Sequence, residues 1–377
     1  MNKPAVFIAS EKYRRHSYGG MHPLGIPRVS LTYDLICAFN AMDSEEFIES
    51  VQATDEQLAW FHTEAYIQAM RDSEQMGKVL TESRKVHNIG NYENPYFPGF
   101  FTTPATATGG SIQGAEQVLQ GKIAFSPAGG MHHAMPDQAH GFCFFNDPAL
   151  AIMRLRQAGK RVLYVDIDAH HGDGVEYAFR DDEQVATFSI HMNTAYAYPF
   201  KGGNIEDRGE LHNAFNISLP KACNDTEYEF VFNTSWLEVL NKFKPEVIVL
   251  QAGTDILMPD PLGKFNIATQ TFLGIVRTIK ECAPDGNLLV LGGGGYHPLA
   301  LARCWLGVWG ILSGRELPTQ LTPEAREILQ NVDWDMDEDE DYFAEFFRSR
   351  LDRPNSGVIR DEIRHIVDRF LQKRIAE

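Results

Sequence analysis

Short apolar runs alternate with helical patterns along most of the chain. The apolar runs fall at residues 6–9, 122–125, 162–167, 185–190, 247–251 and 288–291. Between them, residues 148–156 and 228–243 show the apolar spacing of crossover helices. Continuous apolar strands joined by helices are typical of a parallel sheet that is covered by helices on both faces. The pattern therefore predicts an α/β fold.

Three segments depart from this rhythm. Residues 88–99 are rich in Gly, Asn, Pro and aromatic residues and have no period, which predicts a long loop of the kind that carries function. The acidic run at residues 333–341 predicts a solvated surface segment, and residues 361–373 predict an amphipathic terminal helix. We expect one domain over residues 1–377, with a motif-bearing core at about 5–315 and an extension at about 316–377.

Composition narrows the class of protein. No apolar run approaches the length that spans a bilayer and the first residues do not resemble a signal peptide, so we expect a cytoplasmic protein without a membrane partner. The net charge of −17 argues against direct binding to nucleic acid, and it permits a cationic substrate, although acidic surfaces also serve solubility. The five scattered cysteines indicate reduced thiols rather than disulfides or a thiolate zinc site.

Residues that can do chemistry gather where the predicted strands end. Residues 166–174 place three carboxylates and two imidazoles after one apolar run. Residues 129–134, 252–255 and 292–297 follow three others, and they hold two adjacent histidines, an aspartate and a Gly-rich run before a tyrosine. In open α/β sheets ligands bind outside the carboxyl ends of the strands. We therefore expect these four segments to form one active site.

Three of these residues have the character of metal ligands. Asp168, His170 and Asp255 would leave an open coordination position, as a catalytic zinc requires, and ferrous iron, cobalt or manganese also accepts mixed oxygen and nitrogen ligands. A two-manganese hydrolase of the arginase type is the alternative, but it needs further bridging carboxylates. The segment after residues 247–251 offers only Asp255 before Ile256, which favours one metal ion.

The remaining polar residues predict proton transfer. We expect His132 to pair with Asp166 and His133 with Asp173, because a carboxylate on Nδ1 fixes the tautomer of a histidine and raises its basicity. Such a dyad takes a proton from metal-bound water and returns one to a leaving amine. Tyr296 would donate a hydrogen bond to the developing oxyanion. Four glycines before Tyr296 could instead cradle a phosphate, but they lack the spacing of a phosphate-binding loop.

These segments, together with residues 141–147 and 260–263, resemble the zinc-dependent histone deacetylase family. The spacing is most similar to the class I enzymes and the bacterial acetoin-utilisation proteins, and acetylpolyamine amidohydrolases are more distant relatives. The resemblance implies an arginase/deacetylase-like fold with a parallel sheet of about eight strands. It also implies hydrolysis of acetyl-lysine side chains by the same ligands, dyad and tyrosine.

The resemblance further implies sites for potassium ions and for substrate. A structural potassium ion would be held by Asp166, Ser189 and the backbone of Asp168, His170 and Ile190. A second potassium site would include Phe179, Asp182 and Val185, with the expected tyrosine replaced near His212 and Asn213. The acyl-lysine tunnel would be walled by Gly141, Phe142, Tyr198 and Leu262. The family's substrate-gripping aspartate is absent from residues 90–95, where Glu93 could replace it.

We therefore expect a zinc deacetylase acting on acetylated lysine in proteins or peptides, with a small cationic acetyl amide such as an acetylpolyamine as the alternative substrate. Two hypotheses from other classes are a catalytically silent acyl-lysine binder and a two-manganese ureohydrolase. The intact ligand set, dyad and tyrosine oppose the first, and the ligand count opposes the second. The sequence leaves the oligomeric state open.

Overall fold

The computed structural model describes residues 3–14, 18–19, 22–334 and 343–375. Its centre is a sheet of eight parallel strands in the order β2-β1-β3-β8-β7-β4-β5-β6. The strands are β1 Ala5–Ala9, β2 Phe47–Glu49, β3 Ile123–Ser126, β4 Val162–Asp166, β5 Val185–Met192, β6 Ala214–Leu219, β7 Val247–Gln251 and β8 Leu288–Leu291. The predicted α/β class and parallel sheet are confirmed.

All six strands expected from apolar runs are present, and two further strands were missed. The missed strands, β2 and β6, are the outermost strands of the sheet. β2 has only three residues and none of them is buried. β6 interrupts its apolar residues with Asn216 and Ser218. Because edge strands have one unpaired side and need less apolar character, neither of them shows a continuous apolar run.

Helices connect and cover the strands. They are α1 Arg28–Ala38, α2 Asp55–Leu58, α3 Glu64–Met76, α4 Thr81–His87, α5 Thr102–Leu119, α6 Asp147–Gln157, α7 Asp173–Phe179, α8 Asp225–Phe243, α9 Thr269–Cys282, α10 Pro298–Ser313, α11 Pro323–Gln330, α12 Phe343–Phe346 and α13 Asp361–Phe370. The expected crossover helices are α6 and α8, and the expected terminal helix is α13, which continues as a π-helical turn at Leu371–Ile375. Of the acidic run, residues 335–341 lie outside the described residues.

The core lies on both faces of the sheet. Along β1, Phe7 packs in the cluster that includes Leu35 of α1 and Trp309 of α10, whereas Ile8 packs in the cluster that includes Val118 of α5. This alternation is the period of two that a strand buried on both faces imposes. The first cluster also contains Ile363, Val367 and Phe370 of α13, so the terminal helix shares the core of the sheet. Within the described residues, no helix is both long and apolar enough to cross a membrane.

The strand order brings the segments with candidate site residues together. β3, β8, β7 and β4 are consecutive neighbours in the sheet, and each is followed by one of the four segments singled out above. Because all strands are parallel, their carboxyl ends lie along the same edge. Four separate stretches of sequence therefore meet at the middle of that edge.

Candidate active site

Asp168 and His170 follow β4, and Asp255 follows β7; together they form a compact group of potential metal ligands. One ligand atom from each lies within 4.8 Å of the others, and all three residues are buried. The Nδ1 atom of His170 lies 2.9 Å from Oδ2 of Asp255 and 3.3 Å from Oδ1 of Asp168. In the described part of the chain this is the only such group.

The electrostatics of this group suit a cation. Burial, and then the charge of Asp168, raise the pKa of Asp255 to about 7. Burial opposes a charge on His170, but hydrogen bonds to Asp168 and Asp255 raise its pKa to about 10. Two buried carboxylates at this separation repel each other unless a positive charge lies between them. Two carboxylate oxygens and one imidazole nitrogen also match the ligand preferences of zinc and ferrous iron.

Backbone amides hold the ligands in place. Oδ2 of Asp168 accepts a hydrogen bond from the amide of Gly294 at 2.6 Å, and Oδ1 of Asp255 accepts one from the amide of Ala169 at 2.8 Å. A Cβ atom at Gly294 would overlap the Asp255 carboxylate. The Gly-rich run after β8 is therefore required for close approach of the backbone to the ligand group, which is one established use of glycine.

His132 and His133 lie beside the ligand group, and each is within hydrogen-bond distance of a different carboxylate. Nδ1 of His132 is 2.9 Å from Oδ2 of Asp166, and Nδ1 of His133 is 2.8 Å from Oδ1 of Asp173. Burial opposes a charge on His132, but Asp166 and Asp168 outweigh it and raise its pKa to about 9. Burial, and then the neighbouring His132, hold the pKa of His133 well below its usual value. The two histidines thus differ in charge near neutral pH, which gives the pair one neutral base.

Asp147 holds the turn that carries these histidines. Its carboxylate accepts hydrogen bonds from the amides of Gly130 and Met131, at 2.9 and 2.8 Å, and from the hydroxyl of Ser111 at 2.6 Å. Sequence reasoning gave Asp147 no role. The available signal was Asn146, a residue of the type that caps helices, which does cap α6 beside Asp147. A capping position predicts a helix start and does not predict that the next carboxylate reaches back to another loop.

Asp260 holds Tyr296 in a similar way. Its Oδ2 accepts a hydrogen bond from the amide of Tyr296 at 2.7 Å, and its Oδ1 accepts one from the amide of Leu262 at 2.9 Å. Burial, and then the charge of Asp255, keep the pKa of Tyr296 well above its usual value. Its phenol therefore stays protonated and can donate a hydrogen bond. Sequence reasoning missed Asp260 as well, although it stands in a motif used for the resemblance.

A cavity of about 520 Å³ leads to these groups. All five residues expected to contact substrate line it together with His133, His170 and Tyr296. The full lining is Glu93, His133, Gly141, Phe142, His170, Met192, Tyr196, Ala197, Tyr198, Phe200, Lys221, Leu262, Lys264 and Tyr296. A larger cavity of about 760 Å³ is lined by Lys3, Arg277 and neighbouring residues and includes none of the expected site residues.

The 88–99 segment, an irregular loop as expected, builds the wall of the cavity. Oε1 of Glu93 accepts hydrogen bonds from the amide of Gly141 at 2.7 Å and from the hydroxyl of Tyr198 at 2.9 Å. Oδ1 of Asn94 accepts one from the amide of Phe142 at 3.0 Å. Gly141 has φ +53°, and a Cβ atom there would lie 2.5 Å from the Tyr198 ring and 2.6 Å from the His133 ring. The wall at this point has no room for a side chain.

The residues expected to hold potassium ions lie near the ends of β4 and β5. Their pairing register places Asp166 opposite Ser189, and Oδ1 of Asp166 accepts a hydrogen bond from the amide of Asp168 at 3.0 Å. At the second expected site, the side-chain amide of Asn213 donates hydrogen bonds to the carbonyl oxygens of Phe179, Asp182 and Val185 at 2.7, 3.1 and 2.8 Å. An amide donor thus meets the carbonyl oxygens that a cation would otherwise contact.

Glu176 is a half-buried carboxylate on α7, and it leads to a prediction about stability. It accepts a hydrogen bond from Asn216 at 2.7 Å, and burial raises its pKa to about 7. Between pH 4.5 and 7 the folded chain keeps a proton that the unfolded chain loses, so this residue makes stability fall as pH rises through that interval. We expect Glu176→Gln to leave stability unchanged at pH 4.5 and to raise it at pH 8 by about 3 kcal/mol. Urea denaturation at both pH values measures this, and an equal change at both would contradict it.

Comparison with known proteins agrees with this geometry. Residues 22–312 match the model of the histone deacetylase domain. The chain belongs to the histone deacetylase family. Members of this family are deacetylases, which are hydrolases. The family resemblance expected from the motifs is confirmed.

Individual relatives and solved structures agree with membership of the histone deacetylase family. The chain is 35% identical to the acetoin utilization protein AcuC of Bacillus subtilis over 332 residues, which cover 84% of this chain and 85% of AcuC. The crystal structure of an HDAC homolog from Aquifex aeolicus superposes with a TM-score of 0.94 at 42% identity and covers 98% of this chain and 100% of that one. The structure of an HDAC homolog complexed with SAHA gives a TM-score of 0.93 at 42% identity, with the same coverage.

Proposed function

We propose that this histone deacetylase family member is a zinc-dependent deacetylase that hydrolyses acetyl-lysine side chains to free lysine and acetate. The observation that carries the proposal is one cavity that His133, His170 and Tyr296 line together. Its wall includes Phe142, Tyr198 and Leu262, and apolar walls suit the four-carbon stem of a lysine. The substrate thereby presents its amide to the reacting groups while the stem fills the cavity.

Asp168, His170 and Asp255 would hold the metal ion. When bound, the ion supplies Lewis acidity, which lowers the pKa of water and polarises the acyl oxygen. Three protein ligands would leave an open coordination position, as a catalytic zinc site requires. Ferrous iron would serve the same ligands.

The other residues move protons and stabilise charge. We assign proton removal from water to His133, whose neutral imidazole is oriented by Asp173, 2.8 Å from its Nδ1. His132, paired with Asp166, would stabilise the charge that develops and help return the proton to the amine as the C–N bond breaks. Tyr296 would donate its phenol proton in a hydrogen bond to the oxyanion. Water thus adds to the acyl carbon, and the lysine leaves as a neutral amine.

The proposed function also includes a structural potassium ion, one domain, a cytoplasmic location and a single catalytic metal ion. We propose a structural potassium ion near Asp166, Ser189, Ile190 and the backbone of Asp168 and His170, supported by the register of β4 and β5. We also propose one domain over residues 1–377, supported by the packing of α13 in the main core, and a cytoplasmic location. The single ligand group in the described residues favours one catalytic metal ion over the two of a ureohydrolase.

The test is the release of free amine by zinc-loaded protein from three substrates: an acetyl-lysine peptide, an acetylated polyamine and a longer acyl-lysine peptide. We expect the acetyl-lysine peptide to have the highest kcat/KM, with activity lost on chelation and restored by zinc or ferrous iron. SAHA, the compound bound to a homolog of similar structure, serves as the competing ligand. Higher activity on the polyamine would replace the substrate in this proposal, and absence of turnover on all three would contradict the proposal.

Asp255→Asn tests the ligand assignment. We expect one metal ion per chain in the parent protein, less than a tenth of that in the variant after dialysis, and a corresponding loss of activity, because an amide is a poorer metal ligand than a carboxylate. Asp285→Asn is the matched control, since Asp285 is exposed in the turn before β8 and does not line the 520 Å³ cavity. Metal analysis by mass spectrometry gives the readout, and full metal content in Asp255→Asn would contradict the assignment.

A further inference from the structure

Two lysines lie on one wall of the cavity and have no assigned role. Lys221 and Lys264 both line the cavity and both are exposed. The amide of Ala222 donates a hydrogen bond to the carbonyl oxygen of Lys264 at 2.7 Å, so the two segments run side by side. Among the described residues, no aspartate or glutamate forms an ion pair with either lysine.

Neutral groups fix the positions of both ammonium groups. Nζ of Lys221 lies 4.4 Å from the centre of the Tyr196 ring. The Tyr196 hydroxyl donates a hydrogen bond to the carbonyl oxygen of Leu219 at 3.1 Å, which holds the ring in place. Nζ of Lys264 donates a hydrogen bond to the carbonyl oxygen of Pro261 at 2.7 Å. A ring face and a carbonyl oxygen orient a cation without cancelling its charge. Both positive charges therefore remain available at the cavity mouth.

One carboxylate lines the cavity, and it already has hydrogen-bond partners. Among the described residues that line the cavity, Glu93 is the only aspartate or glutamate. Its Oε1 accepts hydrogen bonds from Gly141 and Tyr198, and its Oε2 accepts one from Asn88 at 3.3 Å. The Glu93 carboxylate thus forms hydrogen bonds within the cavity wall, and its expected contact with substrate stays a prediction.

This local charge is opposite to that of the whole chain. The chain has 51 acidic and 34 basic residues, and many of its exposed basic side chains pair with carboxylates. Lys221 and Lys264 differ from other exposed lysines in their position, since both line the cavity of the candidate active site. A local field at a cavity mouth selects the ligand more than distant net charge does, because salt screens charges beyond about 10 Å.

We propose that Lys221 and Lys264 recognise a carboxylate next to the acyl-lysine, so that acidic acyl-lysine substrates are preferred over basic ones. This inference rests on the proposed deacetylase function and specifies its substrate class. The carboxylate is supplied by an aspartate or glutamate that flanks the acetyl-lysine, or by the terminal carboxylate of a small acetyl-lysine substrate. The preference reverses the one expected from the net charge.

The experiment compares kcat/KM on three peptides that differ only in the residues flanking the acetyl-lysine: acidic, neutral amide or basic. We expect the parent protein to favour the acidic peptide over the basic one by about ten-fold at low salt, the size that two exposed charge contacts support. Added salt should bring this ratio towards one. A parallel comparison of Nε-acetyl-lysine with its C-terminal amide shows whether a terminal carboxylate is recognised in the same way.

The double variant Lys221→Glu, Lys264→Glu should invert the ratio between acidic and basic peptides. Lys244→Glu is the matched control, because Lys244 is exposed in the turn before β7, at the opposite end of that strand from the ligand group, and should keep the parental ratio. Thermal melts of all variants verify folding. Equal rates on acidic and basic peptides in the parent protein, with good turnover of the neutral peptide, would overturn this inference alone. Absence of turnover on every peptide would overturn the proposed function.

Discussion

His133→Ala is expected to lower kcat on an acetyl-lysine peptide by about 10²- to 10⁴-fold, the usual contribution of a positioned general base. The reason is that His133 is the histidine of the pair whose burial favours the neutral form, and it lies on the cavity wall. Asp173→Asn should produce a smaller loss, because the histidine remains but its orientation by the carboxylate is weakened. Initial rates with zinc-saturated protein measure both effects.

The control for this variant is His365→Ala, since His365 is exposed on α13. It should retain parental kcat and KM. Metal content of His133→Ala should also equal that of the parent protein, because His133 is not among the proposed ligands. Retention of more than a tenth of parental kcat in His133→Ala, with normal metal content, would remove this residue from the mechanism.

Tyr296→Phe is expected to lower kcat by about 10²- to 10³-fold, the range seen when one oxyanion donor is removed. The substitution deletes only the hydroxyl and keeps the ring, which lies 6.1 Å from the ring of Phe142. Substrate binding through the cavity walls should therefore change little, and the loss should fall on kcat rather than on KM. Steady-state kinetics separates the two parameters.

Tyr92→Phe is the matched control, because the Tyr92 side chain is 85% exposed in the 88–99 loop. It should behave as the parent protein does. A loss in Tyr296→Phe that appeared only in KM would indicate a role in binding substrate, and unchanged kinetics would show that the phenol takes no part in the reaction.

Local sequence was sufficient to locate the central strands and the candidate residues that follow them. A strand covered on both faces must be apolar throughout, so β4, β7 and β8 were visible as uninterrupted runs. Polar residues that directly follow such runs must lie at the carboxyl edge of the sheet. For this reason Asp168 and Asp255 could be placed in one site although 87 residues separate them.

Residues whose role depends on distant partners were not visible in this way. His297 directly follows Tyr296, yet it caps α10 through the amide of Ala300 and packs against Trp334. Glu93 is a predicted substrate-binding residue, and the sequence does not show that its carboxylate also accepts hydrogen bonds from residues 48 and 105 positions further along the chain. The sequence around an acidic residue does not show whether its carboxylate contacts solvent, substrate or another loop.

The sequence by itself determined the parallel α/β fold, the family and the candidate residues for binding a metal ion and moving protons, because these depend on apolar runs and on residues adjacent to them. Only the tertiary structure decided that Asp147 and Asp260 hold the turns that carry the candidate catalytic residues, and that Lys221 and Lys264 line the cavity. The physical reason is that hydrogen bonding and unpaired charge depend on which loops meet, and loop contacts are set by the packing of the whole sheet.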